Sequence, residues 1–210
     1  MRAVIPFDVA TPKQRLSPVL SPAERTEFAL AMLQDVLSAM RDTRLEPTVV
    51  STAPLPERVS APVDVDDRPL DAVVRDAIET ATPLAVVMAD LPLLEPETLG
   101  RLIEADGDVV LAPGRGGGTN AMVVRDPAFE PDYHGPSIAD HRQIASERGL
   151  ALGEIDSFRL AADVDEPGDL LDVLLHSVGD STAWLDAAGF RVEAGSGRPE
   201  AVRRDAGSDG

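Results

Sequence analysis

Short apolar runs alternate along the chain with longer stretches of helical periodicity, and this alternation narrows the fold more than any other feature. The runs "RAVIPF" (2–7), "EPTVVST" (46–52), the segment 83–90 ending in "AVVMAD", "DVVLAP" (108–113) and "NAMVVR" (120–125) read as buried strands. "APVDVDD" (61–67) reads as a shorter strand and "ALGEID" (151–156) as an edge strand. Between them the periodicity predicts helices over 21–42, 69–81, near 95–105, 137–150 and 167–178, and residues 181–193 add a helix and a short strand. The helix at 21–42 is the clearest, with Ser21 as N-cap, Pro22 at the first helical position and Glu24 completing a capping box. Its inner side carries Phe28, Ala31, Met32, Val36 and Ala39, with Asp35 expected at a partly exposed edge, and the helix at 69–81 turns Val73, Ala77 and Ile78 inward. Strands alternating with helices mean an α/β domain whose mainly parallel sheet is covered on both faces. Residues 1–193 are expected to form one domain, and 194–210, without apolar periodicity, a disordered polar tail.

Composition removes whole classes of function. The chain has no cysteine, which excludes a disulfide scaffold, a zinc–thiolate site and cysteine catalysis. No apolar run approaches the roughly 20 residues of a membrane span, and "MRAVIPFDVATPK" is too weakly apolar for a secretory signal, so a cytoplasmic protein is expected. The formal charge of −18 argues against nucleic acid as a partner. Arginine occurs 18 times, aspartate 23 times and lysine once, at Lys13. Many carboxylates with almost no lysine read as a surface adapted to high salt, where screening removes the self-repulsion of the charge. A compact ammonium that arginine has not replaced suits a phosphate, so Lys13 is a candidate phosphate contact.

In open α/β sheets ligands bind beyond the carboxyl ends of the strands. Asp90 lies at such an end, where it either caps the turn of "ADLPLL" or holds a cation. In "AADVDEPGDL" (161–170), Asp163 and Asp165 alternate along an extended segment and so share one face. A capping role explains one of these acids more readily than two. With Asp90 they form an oxygen-rich set for a hard cation, Mg²⁺ or Mn²⁺. The loop of "LAPGRGGGTNAM" (111–122) lets the backbone approach a ligand at Gly116–Gly118 and offers Thr119 and Asn120 at the start of a strand; it is also the composition of a flexible connection. Ser137 opens a helix, as an N-cap or as a seat for an anion.

The motifs "VIPF…KQRLSPVLSPAER", "MLQDVL", "ADLPLL", "APGRGGGTNAM", "YHGPSIADH" and "DVDEPGDL", in this order over residues 1–175, resemble the 2-phospho-L-lactate guanylyltransferase family of halophilic archaeal type, which makes an intermediate of coenzyme F420. The resemblance implies a three-layer nucleotide-diphosphosugar-transferase-like fold with a mixed, mainly parallel sheet, and a homodimer. It implies a GTP-dependent nucleotidyltransferase that converts (2S)-2-phospholactate to lactyl-2-diphospho-5'-guanosine with release of pyrophosphate. It assigns Lys13 and Arg15 to the triphosphate as catalytic groups, Asp90, Asp163 and Asp165 to Mg²⁺, and Ser51, Thr52 and the segment 66–72 to the nucleotide. Thr119, Asn120, Gly135 and Ser137 would meet the acid, with His134 as an alternative to Gly135 and Arg142 adding charge; His141 is expected to be structural.

Three alternatives stand beside this expectation. Phosphoenolpyruvate or 3-phosphoglycerate could replace the phospholactate. Another nucleotidyltransferase of the same fold would carry a glycine-rich first loop, where this chain has "VIPFDVATPKQRL". A non-catalytic nucleotide-binding protein would bind GTP without turnover.

The acidic surface predicts that the melting temperature falls as KCl is lowered from molar concentrations to about 0.1 M. A thermal melt that does not move across this range would remove the salt-adaptation reading.

Overall fold

The computed structural model describes residues 1–10, 12–194 and 197–204. The predicted alternation is realised as β1 (Arg2–Phe7), α1 (Pro22–Met40), β2 (Glu46–Ser51), β3 (Val63–Val65), α2 (Leu70–Thr80), β4 (Leu84–Val87), α3 (Pro96–Glu104), β5 (Val109–Pro113), β6 (Thr119–Val124), α4 (Ser137–Glu147) and β7 (Leu152–Glu154). Seven strands pair in the order β3-β2-β1-β4-β6-β5-β7, with β7 at the edge as expected. All neighbours are parallel except β6, which runs antiparallel to both β4 and β5.

That single reversal matters for the site. A strand that starts where its neighbours end brings its first residues to the edge where parallel strands deliver their loops. Val87 of β4 faces Ala121, and Pro113 at the end of β5 faces Thr119. Thr119 and Asn120 therefore join the carboxyl ends of β1, β2, β4 and β5.

Alternate side chains of the buried strands feed two cores. Ala3, Ile5, Phe7, Ala85, Val87, Val110, Ala112, Ala121 and Val123 pack on the side of α1 and α3; Val4, Leu84, Val86, Val109, Leu111, Met122 and Val124 pack on the side of α2 and α4. These are the three layers expected. No helix among the described residues is long and apolar enough to cross a membrane.

The capping box of α1 forms as read, with the Ser21 side chain accepting from the Glu24 N–H and Glu24 accepting from the Ser21 N–H. Beyond β7 come α5 (Phe158–Ala161), a 3-10 turn over Pro167–Asp169, α6 (Leu170–His176), α7 (Asp180–Ala187), β8 (Phe190–Glu193) and β9 (Glu200–Arg203). The short α5 is absent from the sequence reading, and the helix expected over 167–178 is divided between the 3-10 turn and α6.

Two expectations need correction. Asp35 is buried at 7% exposure rather than lying at a half-open edge. It accepts from the N–H groups of Asp180 (2.6 Å) and Ser181 (3.0 Å) and from the Ser181 hydroxyl, capping α7 across 145 residues of sequence. The approach is so close that a Cβ on Gly179 would stand 2.0 Å from Asp35 Oδ1.

Secondly, the tail expected from Ala194 contains β9, which pairs antiparallel with β8. Arg203 anchors it, with its guanidinium on Glu24 and 5.4 Å from the centre of the buried Phe190 ring. Residues 195, 196 and 205–210 of that predicted tail lie outside the described residues.

Replacing Asp35 by Ala leaves two backbone N–H groups and a hydroxyl without their acceptor. This should cost roughly 3 kcal/mol of stability, with Asp35→Asn losing less because an acceptor remains. Urea unfolding at fixed salt reads both, and an Asp35→Ala curve superimposed on wild type would remove the capping role.

Candidate functional site

The loop after β1 is pinned by Leu16, fully buried at the end of a 3-10 turn over Gln14–Leu16. Immediately before the turn, Lys13 has φ 51° and ψ 48°, and it is the one non-glycine residue with positive φ among the described residues. The left-handed region costs a side-chain-bearing residue on the order of 1 kcal/mol, and such strain persists where surrounding contacts over-determine it. Here two carboxylates do so. The Lys13 ammonium, on a side chain only 12% exposed, lies against Asp90 and 2.9 Å from Asp165 Oδ1. Burial works to lower its pKa, but the charges of Asp90 and Asp165 outweigh burial and hold it above the ordinary lysine value.

Asp90 follows β4, and its carbonyl accepts from the Val164 N–H at 3.1 Å, which stitches together the two acidic segments. Val164 is buried, so Asp163 and Asp165 on either side of it share the outward face, as the alternation predicted. Asp165 meets Lys13, and Arg15 at 3.3 Å; although burial alone would raise its pKa, Lys13 and Arg15 bring it below the usual range. Asp163 is pushed up, first by burial and then by the neighbouring charges of Asp90 and Asp165, against a hydrogen bond from Asn120.

Whether these acids suit a divalent cation is decided by two observations. Asp90 Oδ1 is buried and has no hydrogen-bond partner among the described residues, a costly state for a carboxylate oxygen. The three carboxylates also outnumber Lys13 and the largely exposed Arg15. A hard cation fits this donor set. The acids are not gathered into a tight ligand cage, since Lys13 stands between Asp90 and Asp165. Among the described residues the group that converges within 4.8 Å is Asp71, Asp132 and His134. Its atoms serve a turn: Asp71 accepts from the Tyr133 N–H at 2.6 Å, and Asp132 accepts from the backbone and ring of His134.

On the other side of β6, Thr119 and Ser137 are each 3% exposed. The Ser137 hydroxyl does not cap α4 but accepts from the Thr119 N–H at 3.0 Å. Thr119 Oγ1 lies 2.8 Å from His141 Nδ1, and His141 Nε2 accepts from the Asp132 N–H at 3.0 Å. A backbone N–H can only donate, so Nδ1 carries the imidazole proton and donates to Thr119. His141 is thus a buried structural group, as expected.

The start of α4 is already bound to the glycine loop, with the Ile138 N–H donating to the Gly117 carbonyl at 3.2 Å. Gly135 is exposed on the rim with φ 57°, and His134 beside it is exposed as well. Arg142 is turned away, held by Glu154 of β7 through two contacts of 2.7 Å, which corrects the expectation that it charges the pocket.

Asn120 also departs from its predicted place. Its amide donates to the Leu160 carbonyl at 2.9 Å and to Asp163 Oδ1 at 3.0 Å, so it serves the acidic segment rather than an open acid pocket.

Of the residues expected to meet the nucleotide, Ser51 is fully buried with its hydroxyl on the Ala53 carbonyl (2.7 Å). Thr52 donates to Asp8 Oδ1 at 3.1 Å, linking the loops after β1 and β2. In the segment 66–72, Arg68 is paired with Asp66 and Asp76. A cavity of about 200 Å³ is lined by Phe7, Asp8, Pro12, Lys13, Met88 and Asp90. Asp8 is the member the sequence reading missed; the signal available was its position as the first polar residue past β1. A larger cavity of about 300 Å³, beside Asp35, Arg159 and His176, contains none of the predicted site residues.

A family model described as "Guanylyl transferase CofC like" matches residues 1–204. The chain is 52% identical over 204 residues to a 2-phospho-L-lactate guanylyltransferase of Halomicrobium mukohataei, covering 97% of this chain and 100% of that protein. It is 55% identical over 205 residues to the protein of the same name in Haloferax volcanii, covering 97% and 98%. Among solved structures, a protein assigned as a nucleotide-diphospho-sugar transferase from Desulfovibrio desulfuricans G20 superposes with TM-score 0.67 at 14% identity, covering 89% of this chain and 94% of that one. A cytidylyltransferase from Leptospira borgpetersenii superposes with TM-score 0.53 at 12% identity, covering 88% and 90%. At these identities the structural likenesses establish the fold, a nucleotidyltransferase-type α/β sandwich.

Burial brings the His141 pKa down to about 4, against the partial opposition of Asp132, Asp140 and Asp71. An unfolded histidine titrates near 6.5, so between these values the unfolded chain takes up a proton that the folded imidazole refuses. The contribution of neutral His141, about 3 kcal/mol, is complete above pH 6.5 and is lost as pH falls through 4. In denaturant melts at constant salt, wild type should lose more stability than His141→Asn between pH 6.5 and 4.5. Parallel curves would remove the buried-neutral assignment.

Proposed function

As the chain belongs to the CofC-like guanylyl transferase family, we propose that it joins GTP and (2S)-2-phospholactate to give lactyl-2-diphospho-5'-guanosine and pyrophosphate. The observation that carries this reading is the full-length identity to guanylyltransferases of that name. The placement of Lys13, Asp90, Asp163 and Asp165 at one edge of the sheet supports it. A phosphate oxygen of the acid attacks the α-phosphorus of GTP, the bond to the β-phosphate oxygen breaks, and pyrophosphate leaves with that electron pair. The nucleophile needs no base, because a phosphate monoester with a second pKa of about 6 is mostly ionised near neutral pH. Neutral His141 is consistent with this, since it is buried and occupied in holding Thr119.

The difficulty of the reaction is the meeting of two anions. Asp90, Asp163 and Asp165 are the residues that would hold Mg²⁺ or Mn²⁺. The cation, when bound, neutralises phosphate charge and polarises the phosphoryl oxygen. Lys13 supplies a fixed ammonium for the triphosphate and for the charge that grows on pyrophosphate. Arg15 is 67% exposed and, among the described residues, is held by contacts of 3.3 and 3.4 Å to Asp165 and Glu166. Surface pairs of this kind are worth little, so its guanidinium can turn to a phosphate at small cost.

The nucleotide occupies the cavity between the loops after β1 and β4, where Thr52 holds Asp8 and Ser51 shapes the turn beneath. The acid lies beside the glycine loop. Thr119 and Ser137 hold that loop in shape and Gly135 stands open on its rim. Both substrates are small anions, which suits work in the cytoplasm.

Incubation at high KCl with Mg²⁺ and GTP, adding 2-phospholactate, phosphoenolpyruvate or 3-phosphoglycerate separately, tests the proposal through pyrophosphate release. Release is expected with phospholactate and GTP, little with ATP, and a loss of roughly 100-fold in Asp90→Asn and in Lys13→Ala. Release with phosphoenolpyruvate alone would rename the acceptor. Turnover that survives Asp90→Asn would remove the acidic cluster from the reaction.

A further inference from the structure

Asn120 is tied to every segment that builds the acidic side of the site. Its backbone carbonyl accepts from the Met88 N–H at 2.9 Å, two residues before Asp90. Its side-chain amide gives one proton to the Leu160 carbonyl of α5 at 2.9 Å and the other to Asp163 Oδ1 at 3.0 Å. The residue is 5% exposed. On its remaining side lies the glycine loop, so close that a Cβ on Gly114 would stand 2.4 Å from Asn120 Oδ1. The loop is fixed in that place by the Gly114 N–H on the Gly118 carbonyl (2.9 Å) and the Arg115 N–H on the Ala161 carbonyl (3.1 Å).

We propose that Asn120 is a positioning residue that sets Asp163 for the divalent cation, and that Gly114 is glycine so that this amide can sit where it does. The inference rests on the reading above that Asp163 is a cation ligand. Both amide protons are needed, one to anchor the side chain on a fixed carbonyl and one to hold the carboxylate. An aspartate of the same shape would donate neither and would set a second carboxylate against Asp163. A serine is too short to span Leu160 and Asp163 together. Partners of this kind orient the groups that meet the metal, and their loss typically weakens metal affinity 10–100-fold.

The test is Mn²⁺ binding to the full chain at fixed high KCl with GTP present, followed by the electron paramagnetic resonance of free Mn²⁺. Asn120→Ala, Asp163→Asn, the double variant and Gly114→Ala are compared. Asn120→Ala should weaken Mn²⁺ binding 10–100-fold, while GTP binding without metal stays as in wild type. The double variant should bind no more weakly than Asp163→Asn alone, because a residue that acts only through Asp163 has nothing left to act on. If Asn120→Ala fails to fold, Gly114→Ala carries the same expectation, since it leaves Asn120 in the chain and displaces its amide. Mn²⁺ binding lost in Asp163→Asn but kept in Asn120→Ala, or losses that multiply in the double variant, would overturn the inference alone. Binding that survives Asp163→Asn would overturn the ligand assignment of Asp163 and this inference with it.

Discussion

Carboxylates gathered at the end of a sheet repel one another, and removal from water strengthens the repulsion, so Asp90, Asp163 and Asp165 stand together only against positive charge. The structure supplies that charge with the chain's one lysine. A compact ammonium fits between two acids from different segments, where a planar guanidinium would spread them apart. The left-handed backbone at Lys13 is the local cost of placing it there, and the burial of Leu16 holds the loop in position. Even so, one oxygen of Asp90 remains buried without a partner among the described residues. The cluster is balanced short of neutrality, which is the state expected of a site that completes itself with a cation and an anionic substrate.

The architecture was legible because burial on both faces writes itself into the strands: "LAVV" in β4 and "VVLAP" in β5 are apolar throughout, and β6 is apolar after the polar Thr119 and Asn120 at its start. The acids were legible because a charge at the end of such a strand has few structural uses. The alternation of Asp163 and Asp165 around Val164 survives intact in the fold. What escaped the sequence depends on contacts across large separations. The capping of α7 by Asp35 spans 145 residues, and a carboxylate on an apolar helix face gives no sign of which distant N–H groups it will meet. Asn120 looks like a ligand-facing amide beside glycines; only the folded chain shows that both its protons are already committed. The strand β9 was hidden for a simpler reason: "EAVR" carries one small apolar residue inward, and an arginine anchors it where hydrophobic periodicity would otherwise give the signal.

The surface shows the same economy of lysine in another form. Arg68 bridges Asp66 and Asp76, Arg142 grips Glu154, and Arg58 meets Glu27, all in exposed or half-exposed positions. Each such pair contributes between zero and about 1 kcal/mol, and because every pair cancels one positive charge against one negative, pairing leaves the whole net charge of −18 in place. Surface pairing therefore does not account for how the chain tolerates its charge. Screening by salt would, and the two-point geometry of arginine keeps the few pairs that form directional.

The two halves of the site differ in how they are held. The glycine loop is fixed by backbone hydrogen bonds to itself, to Ala161 and to the start of α4, and behind it Thr119, Ser137 and His141 form a closed buried network. The Lys13 loop is held by one buried leucine and by ion pairs that a phosphate or a cation can exchange. Such a division suits a reaction between two anions. On the proposed reading, the rigid side is the one that meets the small acid, because a pocket that yields cannot discriminate. The side that takes up triphosphate and releases pyrophosphate, on the same reading, keeps its ion pairs for exchange at each turnover, while the buried Leu16 anchors the loop. Asn120 lies on the boundary, its backbone in the sheet and its amide on Asp163, so the rigid half sets the position of an acid in the half that must change partners.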